Sequence, residues 1–180
     1  MFKDFNLAPL KKIKPRSDNS FDTRAEIKEL TKIPLNKKFV KENDDIEAAF
    51  KKTAEKNNVK DYDTKLVGVL IKESAPIILK LKDYFNRPRP KVIAKKMNIK
   101  MKDIEMDSMK TPSYPSGHSV QGRLIAKVLG DKHPAAKKAF EKTGDDISFS
   151  RRVARAHYKS DSKMGEKMGD MMYEHIKNKV

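Results

Sequence analysis

The strongest constraint on the fold is a long apolar run that stops at a cluster of prolines. From Asp63 to about Phe85 apolar residues recur at helical spacing, and Arg87-Pro-Arg-Pro90 follows at once. Proline has no N–H to donate and restricts the residue before it, so a helix has to end there. Pro76 lies inside the run and predicts a kink. The most apolar part, Leu66 to Leu81, is interrupted by Lys72, Glu73 and Lys80. It is too short and too charged to span a bilayer. Such a helix has to be buried against others.

The rest of the chain supplies them. Ser20 or Asp22 caps a short helix through Leu30, ended before Pro34. Asp44 to Lys56 places Ile46, Ala49, Phe50 and Ala54 on one helical face. A helix is predicted from about Gly117 to Leu129. Pro134 opens another, with Gly144 as its break. Further helices are predicted from about Asp146 to His157 and from about Ser162 to Lys177. No alternating strand pattern and no internal repeat occur. The expectation is an all-α single domain over residues 20–180, a helical bundle, preceded by an extended basic N-terminal arm over residues 1–19.

Composition limits the partners. Forty-one Lys and Arg against twenty-five Asp and Glu leave a net charge of +16, which attracts anions of every kind. The absence of cysteine excludes disulfides and thiolate metal sites. The nine methionines read as core filler or surface. The N-terminus lacks an apolar signal core and a small-residue cleavage site, so a cytoplasmic location is expected.

Three short blocks carry the chemistry. The first is Lys82-x6-Arg89-Pro90, with a second register, Lys80-x6-Arg87-Pro88, that fits equally well. An arginine held between prolines presents a fork matched to phosphate oxygens, and the lysine adds a point charge. The second is Tyr114-Pro-Ser-Gly-His118, before an apolar helix. A Ser-Gly turn there offers backbone N–H groups and the positive dipole end to an anion. Ser116 adds a hydroxyl, and His118 stands where it can give up a proton. The third is Ser150-Arg-x5-His157-x3-Asp161. On one straight helix Arg151 and His157 would be about 120° apart, so the helix must bend or end between them. If helix continued, Asp161 would lie beside His157 and could hold its Nδ1–H, freeing Nε2 as a nucleophile. Each block taken alone also reads as ordinary helix capping or a basic helix end.

In order and together, the three blocks resemble the phosphatidic acid phosphatase type 2 superfamily. That superfamily includes bacterial class A non-specific acid phosphatases, membrane lipid phosphatases and vanadium-dependent haloperoxidases. Its Lys-x6-Arg-Pro, Pro-Ser-Gly-His and Ser-Arg-x5-His-x3-Asp motifs all stand here, and the likeness covers roughly residues 60 to 180. Lys82-Asp-Tyr-Phe-Asn-Arg-Pro-Arg-Pro90, Ser113-Tyr-Pro-Ser-Gly-His-Ser119 and Ala156-His-Tyr-Lys-Ser-Asp161 are most similar to the class A enzymes. This favours Lys82 and Arg89 over Lys80 and Arg87. The resemblance implies a helical bundle of the acid phosphatase/vanadium haloperoxidase type. It also implies a metal-independent phosphomonoesterase working through a phosphohistidine. Lys82, Arg89, Arg151, Ser116 and the Gly117 N–H would bind phosphate. His157 would attack phosphorus, His118 would protonate the leaving group, and Asp161 would orient His157. The class A enzymes are periplasmic and longer, a departure that touches location and not chemistry.

The expected partner is a phosphorylated small molecule, with no cofactor, no metal and no nucleic acid required, and with a homo-oligomer left open. Two alternatives stand beside this reading. One is a vanadium-dependent haloperoxidase-like enzyme using the same oxyanion pocket. The other is a basic nucleic-acid-binding module, motivated by charge alone.

Overall fold

A computed structural model describes all residues, 1–180. It contains nine α-helices and no strand: α1 Ala8–Lys11, α2 Phe21–Lys32, α3 Lys37–Glu42, α4 Ile46–Lys56, α5 Thr64–Phe85, α6 Pro90–Lys96, α7 Gly117–Lys132, α8 Lys137–Val153 and α9 Lys159–Ile176. The fold is all-α, as the periodicity predicts. No helix is long and apolar enough to cross a membrane.

Helix α7 is the axle. Val120, Leu124, Ile125, Val128 and Leu129 are buried along it, and α5, α8 and α9 pack around it. Helix α9 answers with Met164, Met168 and Met172, one turn apart and all buried. Three methionines are therefore core filler, where an unbranched side chain fits an irregular seam. Helix α4 presents the predicted Ile46, Ala49, Phe50 and Ala54 to the same core. Its cap is Asp45, one residue after the expected start at Asp44, while α2 and α5 are capped by the expected Ser20 and Asp63; each accepts from a backbone N–H of the first turn.

Backbone, rather than side chain, sets the spacing of α7 from its neighbours. A Cβ on Gly144 of α8 would lie 2.7 Å from the Gly122 carbonyl oxygen of α7. A Cβ on Gly165 of α9 would lie 2.6 Å from the Ser116 carbonyl oxygen, and one on Gly169 2.7 Å from that of Val120. Gly144 therefore does not break a helix. Helix α8 runs through it, because the missing side chain is what allows the close crossing. The helix expected from Asp146 to His157 is the second half of α8 and stops at Val153.

Helix α5 runs through Pro76 to Phe85. Near the proline the Ile71 carbonyl accepts from Gln121 Nε2 at 3.1 Å and from Ser74 Oγ at 3.1 Å, so the disturbed turn is anchored to α7. Residues 1–19, expected as an extended basic arm, lie against the bundle. Phe2 and Leu10 are buried in the main core, Ala8–Lys11 is helical, and the Ile13 carbonyl accepts from Tyr114 Oη. Sparse apolar residues in a polar stretch hid these anchors.

The crossing at Gly165 yields a direct expectation. Gly165→Ala should lower stability by about 1–3 kcal/mol, because the contact atoms are backbone and cannot step aside. Urea unfolding of the variant measures it, and a midpoint equal to that of the parent would contradict the packing described.

Candidate active site

Each block is placed by a local backbone device. Helix α5 ends at Asn86, which adopts a left-handed conformation at φ 47°, with its N–H on the Lys82 carbonyl. Lys82 thus sits on the last turn, and the chain leaves as Arg87-Pro-Arg-Pro90. Arg89 caps α6 at φ −66°, ψ 153°, close to polyproline geometry. In that geometry residues two apart diverge by about 120°, so Arg87 and Arg89 aim in different directions. Ser116 caps α7 and accepts from the Ser119 N–H. In the third block the helix ends, as the six-residue spacing requires. Arg155 turns the chain at φ 59° and is held by the Thr31 and Ile33 carbonyls. His157 lies in the resulting loop, and Tyr158 caps α9.

Asp161 reaches His157 by a different route from the continuous helix considered above. It occupies the first turn of α9, where its Oδ2 reaches back to the Tyr158 N–H at 3.0 Å. The same Oδ2 lies 3.1 Å from His157 Nδ1. On the other side of the ring, Arg89 Nη1 is 2.9 Å from His157 Nε2. A guanidinium only donates, so Nε2 is the acceptor and the proton stands on Nδ1, shared with Asp161. Burial first, then the charges of Arg89, Lys82, His118 and Arg151, hold the His157 pKa well below its ordinary value. The imidazole is therefore neutral, with its lone pair on Nε2.

A cavity of about 210 Å³ opens in front of this nitrogen, lined among others by Lys82, Arg89, Gly117, His118 and His157. Ala75, Ile78 and Leu79 of α5 form its apolar side. A Cβ on Gly117 would stand 3.9 Å from Lys82 Cε, so the first and second blocks are in contact. Lys82 Nζ donates to the Pro112 carbonyl at 2.6 Å. Burial, with Arg89 adding repulsion, brings its pKa down to about 7. Arg89 spends further donors on the Ser108, Thr111 and Ala156 carbonyls, and burial lowers it to about 10, still charged at neutral pH.

Ser116, Arg151 and Asp161 are close but do not line the cavity. Ser116 is fully buried at its base, and its N–H donates to the Asp161 carbonyl at 3.0 Å. Arg151 donates from Nη1 to Asp44 Oδ1 at 2.8 Å, and its buried Nη2 has no partner. His118 Nε2 is 2.9 Å from the Asp44 backbone carbonyl, so this nitrogen carries a proton. The contact with His118 first, and Arg151 with it, hold the Asp44 carboxyl down at about 2. Asp44 also lines a larger outer hollow of about 650 Å³, which meets the inner cavity at Arg89.

Sequence reasoning missed Asp44, Arg87 and Ser113. Asp44 is 107 residues from Arg151, with no motif around it. Ser113 and Arg87 both donate to Asp161, Arg87 Nη1 at 2.7 Å from Oδ1. Arg87 carried a signal, because it belongs to the second register of the first block. Both registers contribute an arginine, while the lysine of the second, Lys80, is exposed.

Comparison with known proteins bears on this arrangement. Over 88 residues the chain is 34% identical to a non-specific acid phosphatase of Salmonella typhimurium and 33% identical to one of Salmonella typhi. Half of the chain is similar to non-specific acid phosphatases. In each case the match takes in 49% of this chain and 35% of the relative, so the chain matches about a third of these curated relatives' length. No family model matches the chain.

The depressed Lys82 pKa has a checkable sign. Below about 7 its ammonium is charged and attracts an anion, and above about 7 it is a neutral amine. Sulfate affinity measured by titration calorimetry should fall about tenfold as pH rises through that value, the worth of one charge-assisted hydrogen bond of about 1.5 kcal/mol. Lys82→Met should abolish that step, and a step that survives the substitution would assign it to another group.

Proposed function

We propose that the protein is a metal-independent phosphomonoesterase of the phosphatidic acid phosphatase type 2 superfamily, acting through a phosphohistidine. The observation that carries this reading is the His157 imidazole. It is neutral, fixed as the Nδ1–H tautomer, with its Nε2 lone pair held by Arg89 at a cavity that His157, Lys82 and Arg89 all line. That is the requirement for a nitrogen nucleophile facing a bound phosphate. The half-length similarity to non-specific acid phosphatases supports the same reading.

The steps follow from the groups present. Lys82 and Arg89 bind the phosphate oxygens, with the Gly117 N–H at the start of α7 supplying a backbone donor. Arg89 Nη1 releases His157 Nε2 and turns to the phosphate, so the nucleophile is uncovered as the anion arrives. Arg151, with a free Nη2, completes the cradle beside Ser116. Nε2 attacks phosphorus, and the Nδ1 proton stays against Asp161, which stabilises the positive charge on the ring. His118, protonated on Nε2, gives its proton to the departing oxygen and then takes one from the water that cleaves the phosphohistidine. Asp44 links Arg151 and His118.

Hydrolysis of phosphomonoesters is expected to persist in EDTA and to be inhibited by orthovanadate. His157→Ala should yield no acid-labile phosphoenzyme on rapid quench with labelled substrate. Loss of turnover on chelation, restored by a divalent cation, would remove the metal-free mechanism. A phosphoenzyme at parental yield in His157→Ala would remove the nucleophile.

His118→Ala should behave differently. Proton donation is worth about 10²–10⁴-fold, and most where the leaving group is basic. An alkyl phosphate should lose that factor in phosphoenzyme formation, while a nitrophenyl phosphate, which leaves readily as phenolate, should lose far less and let phosphoenzyme accumulate. Equal losses for the two substrates would leave His118 a binding role alone.

A further inference from the structure

The Arg-Pro-Arg-Pro segment sends its two arginines to opposite ends of one hydrogen-bonded pair. Arg89 contacts His157 Nε2, and Arg87 contacts Asp161, the carboxylate behind the ring. Arg87 is itself enclosed, with 1% of its side chain exposed. Its guanidinium stacks 3.8 Å above the Tyr158 ring, the residue that caps α9. From Nη1 it donates to Asp161 Oδ1 at 2.7 Å and to Ser160 Oγ at 2.8 Å. Glu26 of α2 closes the arrangement from outside. It accepts from the Ser160 N–H at 2.7 Å and from Ser160 Oγ at 2.8 Å, and lies 3.4 Å from Arg87 Nη2.

This geometry divides the labour of the two carboxylate oxygens. Arg87 takes Oδ1, which leaves Oδ2 for His157 Nδ1, the Tyr158 N–H and Ser113. We propose that Arg87 is a positioning residue of the active site, which keeps the buried Asp161 an acceptor and so fixes the tautomer of His157. The inference rests on the phosphatase reading for its kinetic consequence but not for its structural one. No contact of Arg87 with the cavity is involved, so it acts on attack and not on phosphate binding.

The electrostatics agree. Burial pushes the Asp161 carboxyl above its ordinary value, and Arg87 is the foremost opposing influence, ahead of Ser113 and the Tyr158 N–H. Lys82 of α5, Arg89 of the same linker, Tyr114 before α7 and Tyr158 also face it, with Glu26 behind Arg87. Without the guanidinium the foremost opposing influence is lost, and the carboxyl takes up a proton at still higher pH. A protonated Asp161 can donate as well as accept, so the carboxyl no longer enforces the Nδ1–H tautomer.

The experiment compares Arg87→Gln and Arg87→Lys in the full chain with the parent. Arg87→Gln should lower kcat for a nitrophenyl phosphate about 10- to 100-fold, the usual worth of a partner behind a functional histidine, with KM within about threefold. The acid limb of its pH–kcat profile should move to higher pH, and Arg87→Lys, which keeps the charge, should restore the limb toward the parent's position. An unmoved limb with unchanged kcat in Arg87→Gln would overturn the proposal. So would a loss of activity uniform in pH and not relieved by lysine, which marks a structural role. The second measurement is the nitrogen-15 spectrum of the His157 ring, assigned against His157→Gln. With sulfate in the cavity, which draws Arg89 away from Nε2, the parent should show the Nδ1–H tautomer and Arg87→Gln a mixture. An unchanged tautomer in that variant overturns the proposal. If Arg87→Gln does not fold, Arg87→Met, of similar length and without charge, decides. Slower attack at parental KM supports the assignment, and parental kcat refutes it. A parent protein without turnover on any phosphomonoester would defeat the phosphatase reading, while the ring spectrum would still test Arg87.

Discussion

The structure turns on a carboxylate with no access to water. Asp161 is fully buried, and a charge in that position is tolerable only when its oxygens are fully engaged. Its partners come from everywhere the chemistry resides. They are Arg87 from the proline-bound linker, Ser113 from the turn before α7, and His157 and the Tyr158 N–H from the loop before α9. Its own backbone carbonyl accepts from Ser116. The three sequence blocks therefore meet at one side chain.

The cationic side of the cavity is organised by the opposite rule. Lys82 and Arg89 are rich in donors and are held by carbonyls, those of Ser108, Thr111, Pro112 and Ala156. Backbone oxygens carry partial charge only, so the cations keep most of their field while their side chains stay fixed. An anion that enters meets groups whose ordering has already been accomplished by folding. Asp44 differs, because it is a full carboxylate placed between Arg151 and His118, partly open to solvent.

The helical class and most helix starts were legible because apolar spacing and capping side chains are local. Ser20, Asp45, Asp63 and Ser116 each sit at the cap where a polar side chain precedes a periodic run. Gly144 misled because a glycine needed for close packing looks, in sequence, like a glycine that ends a helix. The docking of residues 1–19 was hidden because Phe2 and Leu10 are isolated apolar residues with no period. At the site, the motif residues were legible and their partners were not. Asp44 has ordinary neighbours, and only the folded chain shows what it faces. The two registers of the first block were treated as competing, whereas the linker uses both arginines.

The close crossing of α7 with α9 has a consequence for how such a pocket can vary. The Gly165 and Gly169 contacts set the first turns of α7, which carry His118, against α9, whose first turn carries Asp161, with the Ser116 and Val120 carbonyls as the nearest atoms. The spacing of His118 from Asp161 is thereby set away from the side chains that wall the cavity. Ala75 and Leu79 on α5, and Val92 on the outer hollow, wall the cavities without entering that crossing. Substitutions meant to reshape the cavities should begin with these wall residues and leave the glycines alone.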